Sequence, residues 1–147
     1  MSRPDGPAIG SWTIMNPRAL LPENASDAVI LAAVDRWAAL LEAEQYQAAF
    51  NATDHDPAMR WSAELMRDVI TQYGDAEPGQ RVTVDGKPTD VSQRKNVRRF
   101  PGNKHGLVGH VWYDLNINGL ASDLTATFGL RAERDGLVLV LEEIHVM

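Results

Sequence analysis

Three groups of polar residues in the C-terminal half of the chain have the types and spacing to do chemistry. Asp114 and Asp123 lie symmetrically about Asn118-Gly119, the strongest short-range hairpin dipeptide, because both residues tolerate the positive φ of a type I′ turn. With a two-residue turn there, Asp114 faces Asp123, Trp112 faces Thr125 and His110 faces Thr127 on one side of the hairpin. Carboxylates directly opposite one another repel unless a shared proton, an arginine, a cation or water relieves them. The pair is therefore a proton-sharing or metal-touching dyad, or part of a solvated face where repulsion is small, or is captured by Arg131 or Arg99. His110 and His145 flank Thr127 and, with Asp114, carry ring nitrogens and a carboxylate suited to metal ligation or acid–base work. An intervening strand sets the two histidines too far apart for one ion, which favours structural or interface roles. Glu143 and His145 form the third group. If the last strand ran without interruption they would point inward near Tyr113, where burial raises a glutamate pKa toward catalytic values.

The elements that must position these residues follow from periodicity. Capping residues around Asn24 to Ser26 precede an apolar series at helical spacing, Ile30, Ala33, Val34, Trp37, Leu40 and Leu41, which predicts an amphipathic helix of roughly five turns. A short second helix follows with Tyr46, Ala49 and Phe50 inward. Asp56 as N-cap, Pro57 at the first helical position and Gly74 as the stop predict a third helix, carrying Met59, Ala63, Met66, Ile70 and Tyr73 on one stripe. After Gly79 the period becomes two, and strands are expected over 81–84, 93–100, 108–117, 120–131 and 137–147. Residues 1–22 hold four prolines and read as an extended arm, with Trp12 and Ile14 free to tuck against one domain spanning 23–147.

The first hairpin has a clean internal check. Its other side pairs Val111 with Ala126, Tyr113 with Leu124, Leu115 with Ser122 and Ile117 with Leu120, apolar except for Ser122 and the Tyr113 hydroxyl. A register wrong by one would mix the two sets. In the next hairpin, a turn at Asp135-Gly136 places Leu137, Leu139 and Leu141 on the helix side. A β-bulge at Glu142-Glu143 then returns Ile144 and Val146 to the core and sends His145 outward, avoiding the several kcal/mol cost of burying an unpaired glutamate.

Composition narrows the classes. The 147 residues are 44% hydrophobic and 23% charged, ordinary for one globular domain, and no apolar run approaches a membrane span. There is no cysteine, which removes thiolate chemistry and fits a reducing, cytoplasmic setting; Met1 to Gly10 shows no charged-then-apolar leader pattern. The sequence implies no cofactor and no metal. Net charge is −6, but 81–104 holds seven Lys/Arg and two acidic residues, against seven basic and eighteen acidic elsewhere. Arg94, Lys95, Arg98 and Arg99 beside Phe100 form a basic ribbon suited to an acidic protein partner; with one aromatic and no recognisable module, nucleic acid is disfavoured. Trp112, Val138 and Val140 make the outer face apolar enough to predict dimerisation of sheet on sheet.

Taken together, the helix order with anchors Trp37, Tyr46 and Phe50, the capped helix from Asp56 to Gly74 and the bent hairpins with a bulged last strand resemble the nuclear transport factor 2-like superfamily. This is the cystatin-like cone, an α+β fold with N-terminal helices on a curved antiparallel sheet. The resemblance covers roughly Ser26 to Met147 and is architectural, with no diagnostic motif. It implies a conical pocket between helices and sheet and frequent dimerisation through the sheet. The superfamily includes isomerases, dehydratases, ligand-binding proteins and non-catalytic adaptors, so fold alone does not choose a chemistry. The expectation is a small-molecule-binding protein with Tyr113, Ser122, Phe128 and Trp61 among its pocket walls. The alternative is a non-catalytic dimeric interaction module using the sheet face and the basic ribbon.

Overall fold

A computed structural model describes residues 18–74 and 79–146. Trp12 and Ile14 of the predicted arm lie outside the described residues. Helix α1, Asp27–Glu42, begins where the Ser26 hydroxyl accepts the Val29 N–H, and it buries Ile30, Ala33, Val34, Trp37, Ala38 and Leu41 along one face. Glu44, at positive φ, turns the chain into α2, Tyr46–Asn51. A two-residue strand β1, Asp54–His55, follows.

The third predicted helix is not continuous. Asp56 caps only a 3₁₀ turn, Pro57–Met59, after which Arg60 adopts the left-handed conformation (φ 52°, ψ 44°). Ser62 then acts as a second N-cap, accepting from the Leu65 N–H, and α3 runs Ala63–Thr71. The break leaves Met59 exposed and turns Trp61 inward, where its indole N–H donates to the Glu142 carbonyl at 2.9 Å.

Five further strands are β2 (Val82–Thr83), β3 (Lys95–Arg99), β4 (Leu107–Ile117), β5 (Leu120–Glu133) and β6 (Gly136–Val146). They form one curled, half-barrel sheet in the order β1-β6-β5-β4-β2, with β3 pairing to β4 beside β2. The sheet is mixed rather than wholly antiparallel, because β1 runs parallel to β6. Helices pack on one face around Trp37, Phe128, Leu130, Leu139 and Leu141, giving an α+β architecture. Trp37 and Phe128 meet edge to face with ring centroids 5.0 Å apart. Leu21 bridges to Leu137, so the last residues of the predicted arm are tied to the sheet.

Both hairpins differ from expectation by two residues. Asn118 and Gly119, each at positive φ, make the foreseen turn, and Ile117 faces Leu120. Then β5 gains two residues, so that Asp114 faces Thr125, Tyr113 faces Ala126, Val111 faces Phe128 and His110 faces Gly129. The extra length is stabilised locally. Ser122 donates its hydroxyl to the Leu115 carbonyl at 2.6 Å, and the Gln93 amide donates to the carbonyls of both Leu115 and Ser122. The second turn is Arg134-Asp135 rather than Asp135-Gly136, with Glu133 opposite Gly136. An even offset keeps every side chain on its own face, so Leu137, Leu139 and Leu141 still meet the helices. At Glu142 the register shifts by one, which buries Ile144 and leaves Glu143 and His145 exposed opposite Thr127 and Thr125. Val146, placed in the core by the sequence pattern, is exposed at the strand end.

Candidate functional site

The two-residue offset separates the carboxylates that were expected to face each other. Asp114 is buried and accepts three hydrogen bonds: the Trp112 indole N–H (2.9 Å) and Thr125 hydroxyl (2.5 Å) on one oxygen, the Arg94 backbone N–H (2.8 Å) on the other. A carboxylate so occupied holds a loop in place and has little capacity left for a substrate. Asp123 is exposed and accepts from the Tyr73 hydroxyl. Burial first, and then this carboxylate, raise the Tyr73 pKa above its ordinary value. An open cleft of about 560 Å³ lies over Trp112, Asp114, Asp123 and Thr125, with the Arg94 guanidinium stacked 4.1 Å above the Trp112 ring.

Neither Glu143 nor His145 points into the domain; their side chains lie 3.4 Å apart on the surface. His110 instead meets Glu142, Nε2 to Oε1 at 2.8 Å. Glu142 was not among the sequence candidates. The bulge itself was the available signal, since bulges re-aim side chains beside sites. Glu142 borders a cleft of about 410 Å³ with His55, Asp56, His105 and Arg131. Yet His55 is committed to the Phe50 carbonyl, and Arg131 to Asp54 and Glu133. Among the described residues no group of three or more His, Asp or Glu side chains is arranged to hold a metal ion.

The remaining expectations are also redistributed. Val138 and Val140 are 0% and 8% exposed within the single chain, so they do not present the apolar outer face on which dimerisation was predicted, and Trp112 lies half-buried under Arg94. The basic ribbon splits between the two faces of β3. Lys95 stacks on Tyr113 and Arg99 pairs with Asp27 of α1, whereas Arg98 lies opposite His110 with Arg94 nearby on Trp112. Tyr113, Phe128 and Trp61 are packed in the core, and Ser122 is held in the bulge. Tyr113 donates to Asp35 at 2.5 Å; burial, reinforced by that carboxylate, pushes its pKa far above the usual tyrosine value.

A cavity of about 190 Å³ lies between α1 and β6, lined by Ala19, Ala33, Arg36, Trp37, Leu40, Ala52, Thr53 and Leu139. Two of these residues carry buried polar atoms with no hydrogen-bond partner among the described residues: the Trp37 indole N–H and the Thr53 hydroxyl, in residues 2% and 3% exposed. Each such orphan costs about 1–3 kcal/mol, and native proteins hold few. Local structure fixes both. Phe128 clamps the plane of the Trp37 ring, and parallel pairing of Asp54 with Val140 sets Thr53 just before the edge strand. The cavity walls are mostly apolar and suit a small apolar ligand body. No protein-family model, curated protein or solved structure matches the chain significantly.

Proposed function

We propose that this chain is a small-molecule-binding protein of the nuclear transport factor 2-like, cystatin-like-cone type, with its ligand seated between α1 and the sheet. The observation that carries this reading is the cavity of about 190 Å³ with mostly apolar walls between α1 and β6. The cone type is supported by helices preceding long curled hairpins and a bulged last strand. Compared with the sequence expectation, the reading shifts from Tyr113, Ser122, Phe128 and Trp61 to the α1 wall, because Tyr113, Phe128 and Trp61 are packed in the core and the Ser122 hydroxyl is bonded to the Leu115 carbonyl. Dimerisation through the outer face has less support, since Val138 and Val140 are already covered.

A fragment screen read through the Trp37 indole ¹H–¹⁵N resonance, assigned with Trp37→Phe, tests the reading. Binding fragments should shift that resonance saturably, and Ala33→Leu, which fills the cavity from α1, should weaken them roughly tenfold or more. Fragments that bind but leave the Trp37 resonance in place would move the site elsewhere.

A further inference from the structure

We propose that the outer edge of β3 is a docking site for an extended acidic segment of a partner protein, added to the sheet as one more strand. Strands β4 and β5 separate this edge from β6, so the proposal is independent of the cavity beside α1.

Backbone geometry supplies the site. Strand β3 runs antiparallel to β4, with Lys95 opposite Tyr113, Val97 opposite Val111 and Arg99 opposite Gly109. The Asp114 N–H donates to the Arg94 carbonyl, and the Phe100 N–H to the Val108 carbonyl, each at 3.1 Å. Hydrogen-bonded pairs alternate along an antiparallel ladder, so Arg94, Asn96, Arg98 and Phe100 turn their backbone groups toward β4. Lys95, Val97 and Arg99 turn theirs the other way. Among the described residues no strand pairs with that side, and no backbone group bonds to it. Such an edge can take an extended peptide, whose main chain provides affinity and whose side chains provide specificity.

Charge selects the occupant. Residues 81–104 hold seven Lys/Arg and two acidic residues on a chain of net charge −6. Lys95, Asn96, Arg98 and Arg99 are exposed, and of the β3 cations only Arg99 pairs with a described carboxylate, Asp27. Opposite charges across a strand pair stabilise it and like charges destabilise it. Two copies of this chain joined antiparallel about Val97 would set Lys95 of each against Arg99 of the other. Charges that deter self-pairing are the ones that receive glutamate and aspartate. A nucleic acid could meet the cations, but it lacks the alternating N–H and C=O groups that this edge needs.

The full chain should be titrated with the capped peptides Glu-Glu-Val-Glu-Glu and Lys-Lys-Val-Lys-Lys, following backbone ¹H–¹⁵N resonances and amide exchange. The acidic peptide should bind saturably, about tenfold more tightly than the basic one. It should slow exchange at Lys95, Val97 and Arg99, while Asn96 and Arg98, already bonded to β4, change little. The acidic peptide with every backbone nitrogen methylated keeps its charge and loses its donors, and should bind more than about tenfold more weakly. Val97→Pro removes an outward donor without touching the β4 ladder, and should cost about tenfold in affinity; circular dichroism checks its fold. Arg98→Gln should cost about three- to fivefold, the scale of an exposed ion pair. Equal binding of the methylated or the basic peptide would overturn the proposal, as would an acidic peptide that leaves the Lys95, Val97 and Arg99 amides unprotected. Protection of those amides that rises with concentration in the protein alone would assign the edge to a second copy, and would overturn it too.

Discussion

The Trp61 indole N–H donates to the backbone carbonyl of Glu142 at the one step where β6 leaves its register. The bond joins the break between two helical turns to the bulge that sends Glu143 and His145 outward. Trp61→Phe keeps most of the apolar bulk and removes the donor, leaving a partly buried carbonyl unsatisfied. Urea denaturation should show a loss of about 1–3 kcal/mol. An unchanged midpoint would mean that the bulge holds without this anchor.

Asp114 and Asp123 should respond differently to neutralisation. Asp114→Asn turns an N–H₂ toward one of three donors that now meet oxygens, so a cost of about 1–3 kcal/mol is expected, with altered Trp112 fluorescence as Arg94 loosens. Asp123→Asn lies on the surface beside Tyr73 and should change stability by less than about 0.5 kcal/mol. Were repulsion between the two carboxylates dominant, Asp123→Asn would stabilise the fold clearly, and that result would contradict the observed pairing with Thr125.

Alkaline stability reports on Tyr113. Burial and Asp35 raise its pKa, so the native state retains a proton that the unfolded chain releases near pH 10. Its contribution is fully present below about pH 10 and is lost as pH rises above it, at up to about 1.4 kcal/mol per pH unit. Tyr46 and Tyr73 are also raised, so the wild-type slope has more than one source. Tyr113→Phe should therefore flatten the fall in stability between pH 10 and higher pH without abolishing it. Identical slopes in the two proteins would remove Tyr113 from the account.

Thr53→Val replaces an unpartnered buried hydroxyl with a methyl group of similar shape. In the ligand-free protein the change should be neutral or stabilising by up to about 1 kcal/mol, measured by denaturation. A loss of about 1 kcal/mol or more would show that the hydroxyl is already bonded.

Local chemistry was sufficient for much of this architecture. The apolar stripe of α1 with its Ser26 cap, the turn at Asn118-Gly119, the alternation along β4 and β5 and the bulge at Glu142 all depend on neighbours in the chain. What escaped were the offsets of two residues in both hairpins. An even slip exchanges no side chain between faces, so a hydrophobic pattern cannot sense it. The first slip is held by the Ser122 hydroxyl and by Gln93, which arrives from another strand connection. It was enough to separate Asp114 from Asp123 and to remove the dyad.

The sequence by itself determined which faces are apolar, where the chain turns and where the last strand must bulge, because those features answer to periodicity and to backbone preference. Only the tertiary structure decided which polar groups meet. Trp37 reads from its spacing as one more core residue, and Thr53 as a loop residue. They share a cavity because the parallel pairing of β1 with β6 carries Thr53 to the inner wall of α1. Whether a buried donor finds an acceptor depends on atoms distant in the chain, and hydrophobic spacing contains no record of it.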